Sequence, residues 1–118
     1  MHTGVKRVVL DSIMPVALYF NNEEERKKGF LKLLENIRRW NTTTLIVSED
    51  AHSTTLDILP DTRYGIETLS EGWIHLYYLY SQKSKERSRA LEILKMKGVG
   101  HSRKIHMFEI TDEGVVIK

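Results

Sequence analysis

The segment Arg7-Val8-Val9-Leu10, closing on Asp11-Ser12, limits the fold more than any other part of the chain. It is apolar without alternation, the pattern of a strand covered on both faces in a parallel sheet. Parallel neighbours need a crossover connection, usually a helix, and one follows. Asn21 or Asn22 can cap a helix that opens on Glu23, Glu24 and Glu25 and closes on Arg38 and Arg39. Those charges complement the two ends of the helix dipole. Phe30, Leu33, Leu34, Ile37 and Trp40 recur at helical spacing and form its buried stripe. Thr42 to Glu49, β-branched and ending in polar residues, is the returning strand. Between strand and helix, Ile13 to Phe20 contains Pro15 and gives no clean helix signal.

Downstream, Ala51 to Arg63 reads as a loop with Pro60-Asp61 as its turn signal, and Tyr64 to Ser70 as a short helix. Trp73 to Tyr80 is aromatic and β-prone, a third strand, and Ser81 to Arg87 is a polar, exposed connection. The tail then changes character. Arg89 to Lys97, Ile105 to Ile110 and Val115 to Ile117 are strands joined by short turns, the last turn being Thr111-Asp112-Glu113-Gly114. The expected class is α/β, parallel core strands extended by C-terminal antiparallel ones. A chain of 118 residues accommodates one domain with one core. Without cysteine it has neither a disulfide nor a zinc–thiolate site. No apolar run approaches the roughly 20 residues that cross a bilayer, and Met1 to Arg7 lacks a signal-peptide centre. A cytoplasmic protein with no membrane partner is the expectation.

Candidate chemistry concentrates in Leu94-Lys95-Met96-Lys97-Gly98-Val99-Gly100, with His101-Ser102 after it. On a strand, Lys95 and Lys97 share a face with Cα atoms roughly 6.6 Å apart. That spacing suits two cations gripping one phosphate group. Leu91 and Ile93 belong to the same face, so the cations stand where an apolar face ends. The competing reading is a solvated edge strand whose lysines discourage aggregation. From Ser81 to Lys104 eight basic residues face only Glu86 and Glu92, a charge of +6 within a chain of net +2. Such a patch suits a nucleotide, a nucleic acid or an acidic protein surface, or is simply a solvated hairpin. His2, His52, His75 and His106 have no metal-ligand spacing. Trp40, Trp73, Tyr77, Tyr78 and Tyr80 fit a core or an interface better than a base-stacking platform.

Arg7 to Ser12 has the form of a Walker B strand, with Asp11 at the carboxyl end where a nucleotide's Mg²⁺ and its water shell would lie. A plain strand-end cap explains the same aspartate. The order RVVLDS, TTTLIVSED, RYGIETL, LEILKMKGVGHS and FEITDEG resembles the C-terminal half of a KaiC-like ATPase domain of the RecA/RadA superfamily, from Lys6 onward. The resemblance implies a truncated RecA-like three-layer sheet in one partial domain over residues 1–118. It also implies an ATP site shared between neighbouring subunits. Lys95, Met96, Lys97 and His101 would then approach phosphates in trans, Thr111 and Asp112 the base or ribose, Asp11 would be the Walker B residue and Glu49 a sensor-like position. The second cation is Lys97 where the family often has arginine, losing bidentate geometry, and Val99 replaces a common hydroxyl.

No GxxxxGK[ST] segment occurs in the 118 residues, so they hold no phosphate-cradling loop. The expected protein is a non-catalytic interaction or regulatory half-domain. The alternatives are a half-site completing a Mg-ATP pocket with a P-loop-containing chain, and weak nucleic-acid binding through residues 81–104. In RecA-like sheets a central strand separates the counterparts of Thr43–Ser48 and Trp73–Tyr80. Here those strands would pair directly, or a second chain would fill the gap. A homodimer, a higher oligomer, or a complex with a related P-loop ATPase chain is therefore expected.

Overall fold

The first and second strands, β1 (Arg7–Asp11) and β2 (Thr43–Val47), pair in parallel from Arg7↔Thr43 to Asp11↔Val47. In this computed structural model the described residues are 4–49 and 56–118. His2, His52 and the first part of the expected Ala51–Arg63 loop lie outside them. The chain divides into two compact units, Met1–His52 with Asp61–Ser70, and Ser53–Pro60 with Glu71–Lys118.

In the first unit, α1 (Met14–Tyr19) and α2 (Glu23–Arg39) make the crossover. Pro15 does not prevent α1, because it occupies the first turn, where its missing N–H forfeits no helical hydrogen bond. Asn22 is the cap of α2: in extended backbone, its Oδ1 accepts the Glu25 N–H at 2.9 Å. Phe30 and Leu34 of the expected stripe are buried with Ile13, Ala17 and Ile66, and Leu33 and Ile37 pack beside them. Trp40, at the C-cap, is half-buried outside that cluster. The expected short helix is a 3₁₀ turn at Ile66–Thr68, whose Ile66 closes the core.

Arg26 fastens the two helices. Its Nε donates to the Ala17 carbonyl at 2.9 Å and its Nη2 to the Phe20 carbonyl at 3.1 Å. These carbonyls end α1, where a cation also meets the negative end of the helix dipole. The guanidinium lies 4.5 Å from the Tyr64 ring centroid. Arg26→Ala is expected to cost about 1–3 kcal/mol, measured by urea unfolding, because two carbonyls lose a charged donor. Gly29 is the second junction. A Cβ there would lie 2.2 Å from Phe20 Cζ. Gly29→Ala, normally stabilising within a helix, is therefore expected to destabilise by about 1–3 kcal/mol through overpacking.

The β1–β2 pair is covered on one face only. Leu10 and Ile46 pack against the helical core. Val9 and Leu45, alternating to the other face, are 65% and 60% exposed. The burial on both faces expected from the apolar run of β1 is thus met on one side within these residues.

The second unit is an antiparallel meander of β3 (Gly72–Ser81), β4 (Glu86–Met96), β5 (His106–Thr111) and β6 (Gly114–Ile117), in that spatial order. The protein is α/β with parallel strands followed by antiparallel ones, and the antiparallel strands form a sheet of their own. β2 and β3 belong to different sheets, so direct pairing between them does not occur. Local hairpin register explains this: Ser81↔Glu86 through Ile74↔Ile93 fixes β3 against β4. The last turn is the expected one, with Thr111↔Gly114 closing the β5–β6 hairpin and Thr111 Oγ1 accepting the Glu113 N–H at 3.2 Å. No helix among the described residues is long and apolar enough to cross a membrane.

Candidate functional site

The lysine-bearing strand carries an irregularity that alternation does not reveal. Ile74 faces Ile93, but Trp73 faces Lys95, leaving Leu94 as an extra residue in β4. Such a bulge reverses the face of everything beyond it. Lys95 therefore lies in the row of Trp73, on the face of His75 and Tyr77, and not on the face of Leu91 and Ile93 as strict alternation would have it. Met96 faces Gly72, and Lys97, just past the strand, donates its N–H to the Glu71 carbonyl at 2.8 Å. Extending the ladder by that bond returns Lys97 to the side of Lys95, so the two cations stay together. The turn follows at once, with Gly98 at φ +74, the left-handed region that glycine enters without strain.

His101 is exposed, and its Nδ1 donates to the Ser102 carbonyl at 2.9 Å, leaving Nε2 for another partner. His106, at the start of β5, shares a 2.7 Å hydrogen bond between its Nε2 and Ser102 Oγ. Lys95, Met96 and Lys97 thus lie at one end of the second unit's sheet, and His101 follows in the loop that leads from β4 to β5. Thr111 and Asp112 do not lie at that end. The register Leu91↔His106 and Arg89↔Phe108 runs β5 away from that end. Continued to Thr111 it falls level with Glu86, on the order of 30 Å of strand from Lys95.

In the first unit, Asp11 ends β1 and is exposed, level with Val47; Glu49, also exposed, follows two residues beyond β2. Both stand at the carboxyl end of a parallel pair, the usual location of ligands in open α/β sheets. Among the described residues no three acidic or histidine side chains converge as a metal site.

One cluster has no sequence signal beyond strand alternation. His75, Tyr77 and Glu92 meet on the face of β3 and β4 opposite Leu76 and Leu91. Tyr77 donates to Glu92 Oε1 at 2.5 Å, and the His75 and Tyr77 rings stand edge to face at 4.6 Å. Burial, and then the Glu92 carboxylate, push the Tyr77 hydroxyl up to about 12. Burial lowers His75 against the opposing pull of Glu92. Both shifts favour the neutral form in the folded state. Stability should therefore fall as pH drops below 6.5, where the unfolded chain takes up the extra proton. It should fall again between 10 and about 12, where only the unfolded tyrosine ionises. Tyr77→Phe should flatten the alkaline arm in pH-dependent thermal melts, and an unchanged arm would refute the assignment.

Comparison with known proteins places these elements. The family model for the KaiC ATPase matches residues 1–118. The chain belongs to the KaiC ATPase family. It is 27% identical over 113 residues to the circadian clock oscillator protein KaiC of Synechococcus elongatus, a match spanning 95% of this chain and 21% of that protein. A UPF0273 protein of Thermotoga maritima is 31% identical over 115 residues, 98% of this chain and 44% of the relative. Among solved structures, a KaiC-like protein from the hyperthermophilic archaeon Pyrococcus horikoshii OT3 is 33% identical with a TM-score of 0.75, covering 97% of this chain and 49% of that one. This KaiC-like chain therefore spans between about a fifth and a half of the relatives it matches.

Proposed function

We propose that this KaiC-like chain works by association, as a half-domain completed by a second chain, and not as a self-contained ATPase. The observation that carries this reading is the β1–β2 pair: among the described residues a parallel sheet of two strands, with Val9 and Leu45 exposed on one face. Parallel strands are ordinarily covered on both faces, and an unpaired apolar edge invites another chain. The absence of a GxxxxGK[ST] segment from these residues agrees with it. The occupant in the purified protein is a second copy, most simply in a dimer; a P-loop-bearing relative would meet the same surface. Sedimentation velocity across a concentration series is expected to give a dimer or larger species that Leu45→Lys returns to monomer. A wild-type monomer at high micromolar concentration would contradict the proposal.

A second reading, a nucleotide half-site used in trans, is supported by Lys95 and Lys97 standing on one side at the end of β4, with Met96 between them and His101 in the loop after the Gly98 turn. Lys95 and Lys97 would hold the phosphates of Mg-ATP as point charges, and His101 Nε2 would supply a further polar contact. Thr111 and Asp112, at the far end of β5, would meet a different part of the assembly. Asp11, as the Walker B residue, and Glu49, as the sensor-like one, would hold water around the magnesium ion, which when bound neutralises phosphate charge.

A further inference from the structure

The aromatic residues of β3 divide between its two faces. Tyr77 is buried, whereas Tyr78 and Tyr80 are 53% and 50% exposed on the other side. Across the ladder Tyr80 faces Arg87 and Tyr78 faces Arg89. The guanidinium of Arg87 lies 5.1 Å from the Tyr80 ring centroid and 5.4 Å from that of Tyr78, and Arg89 lies 4.9 Å from Tyr78. The tyrosine row continues across the sheet through Arg89, Phe108 and Ile117.

Charge is sorted by the same alternation. Glu86 faces Ser81 and Glu92 faces His75, both on the side of Tyr77; Glu109 neighbours Phe108 and so also points away from the exposed tyrosines. The four strands therefore place no carboxylate on the face that carries Tyr78, Tyr80, Arg87 and Arg89. Lys83 and Lys85 add two exposed cations at the adjoining turn.

We propose that this face binds single-stranded nucleic acid. Tyrosine rings two residues apart on a strand stand roughly 6.6 Å from one another, giving successive unstacked bases two aromatic platforms. Guanidinium planes beside them offer both stacking surface and phosphate contacts. An acidic protein would use the cations but gain little from paired, half-exposed rings. An apolar protein surface would desolvate Arg87 and Arg89 without pairing them.

The test is fluorescence anisotropy of labelled oligothymidine and oligouridine titrated with the full chain at several salt concentrations. Tyr78→Ser/Tyr80→Ser is expected to weaken binding at least about tenfold, with the salt slope preserved, whereas Tyr78→Phe/Tyr80→Phe retains it. Arg87→Ser/Arg89→Ser should flatten the slope of log affinity against log salt by about 1.4, from roughly 0.7 per phosphate contact on a single strand. A duplex of equal length should bind more weakly. Circular dichroism melts of each variant establish that the fold persists, and these positions are exposed enough for it to do so. Absence of binding by the folded wild type, affinity indifferent to loss of both rings, or equal binding of duplex would overturn the proposal. So would a tyrosine variant that loses self-association while nucleic acid never binds, which would assign the face to a protein interface.

Discussion

Phe30→Ala should remove about 3–5 kcal/mol of stability, the range for deleting a fully buried aromatic side chain from a core that cannot collapse around the void. Phe30 is completely buried, and its neighbours come from separate parts of the chain: Ile13 and Ala17 at α1, Leu34 one turn along α2, and Ile66 in the 3₁₀ turn. None of these can follow the retreating side chain without abandoning the others. Domains of this size have only about 5–15 kcal/mol in hand, so the variant should be largely unfolded at moderate urea. Trp40 belongs to the same unit as Phe30 and Trp73 to the other. Trp40 fluorescence in a Trp73→Phe background thus reads the affected unit directly. Phe30→Leu, which keeps most of the volume, should lose much less. A Phe30→Ala cost below about 1 kcal/mol would mean that the core is not packed as described.

On the nucleotide half-site reading, Lys95→Ala/Lys97→Ala should abolish calorimetrically detectable binding of Mg-ATP and of inorganic tripolyphosphate, an effect of at least about tenfold if two cations share one phosphate chain. The bulge at Leu94 and the bond from the Lys97 N–H to the Glu71 carbonyl hold the two residues on one side, so neither can replace the other's contact. Thr111→Ala/Asp112→Ala lies at the other end of β5 and should leave tripolyphosphate affinity within about twofold. Retained polyphosphate binding in the lysine variant would remove the half-site reading while leaving the association reading intact.

The local elements were legible because their signals are local. Asn22, the three glutamates and the apolar stripe define α2, and Thr111 to Gly114 defines the final hairpin, through interactions that span four residues or fewer. The Leu94 bulge was not legible. It exists only as a mismatch between β4 and a partner some twenty residues away, and the i, i+2 rule gives the wrong face for Lys95 as soon as one residue is inserted. The same limitation hid the His75–Tyr77–Glu92 cluster and the opposite fates of Tyr77 and Tyr78, which depend on which β3 positions oppose which β4 positions. Pro15 obscured α1 because proline is tolerated in a first turn and disruptive one turn later. The continuous apolar run of β1 was informative in a different way: it asks for cover on both faces, and these residues provide it on one.

Amide exchange along β2 tests the association account most directly. The Thr43 N–H bonds to the Lys6 carbonyl, so by alternation the N–H groups of Thr43, Leu45 and Val47 face β1, while those of Thr44 and Ile46 point to the outer edge. If a second chain completes the sheet, the Thr44 and Ile46 amides should become protected as protein concentration rises, in step with the growth of the dimer. Fast exchange at Thr44 and Ile46 at every concentration, beside protected Leu45 and Val47, would leave the edge open in solution and contradict the proposal.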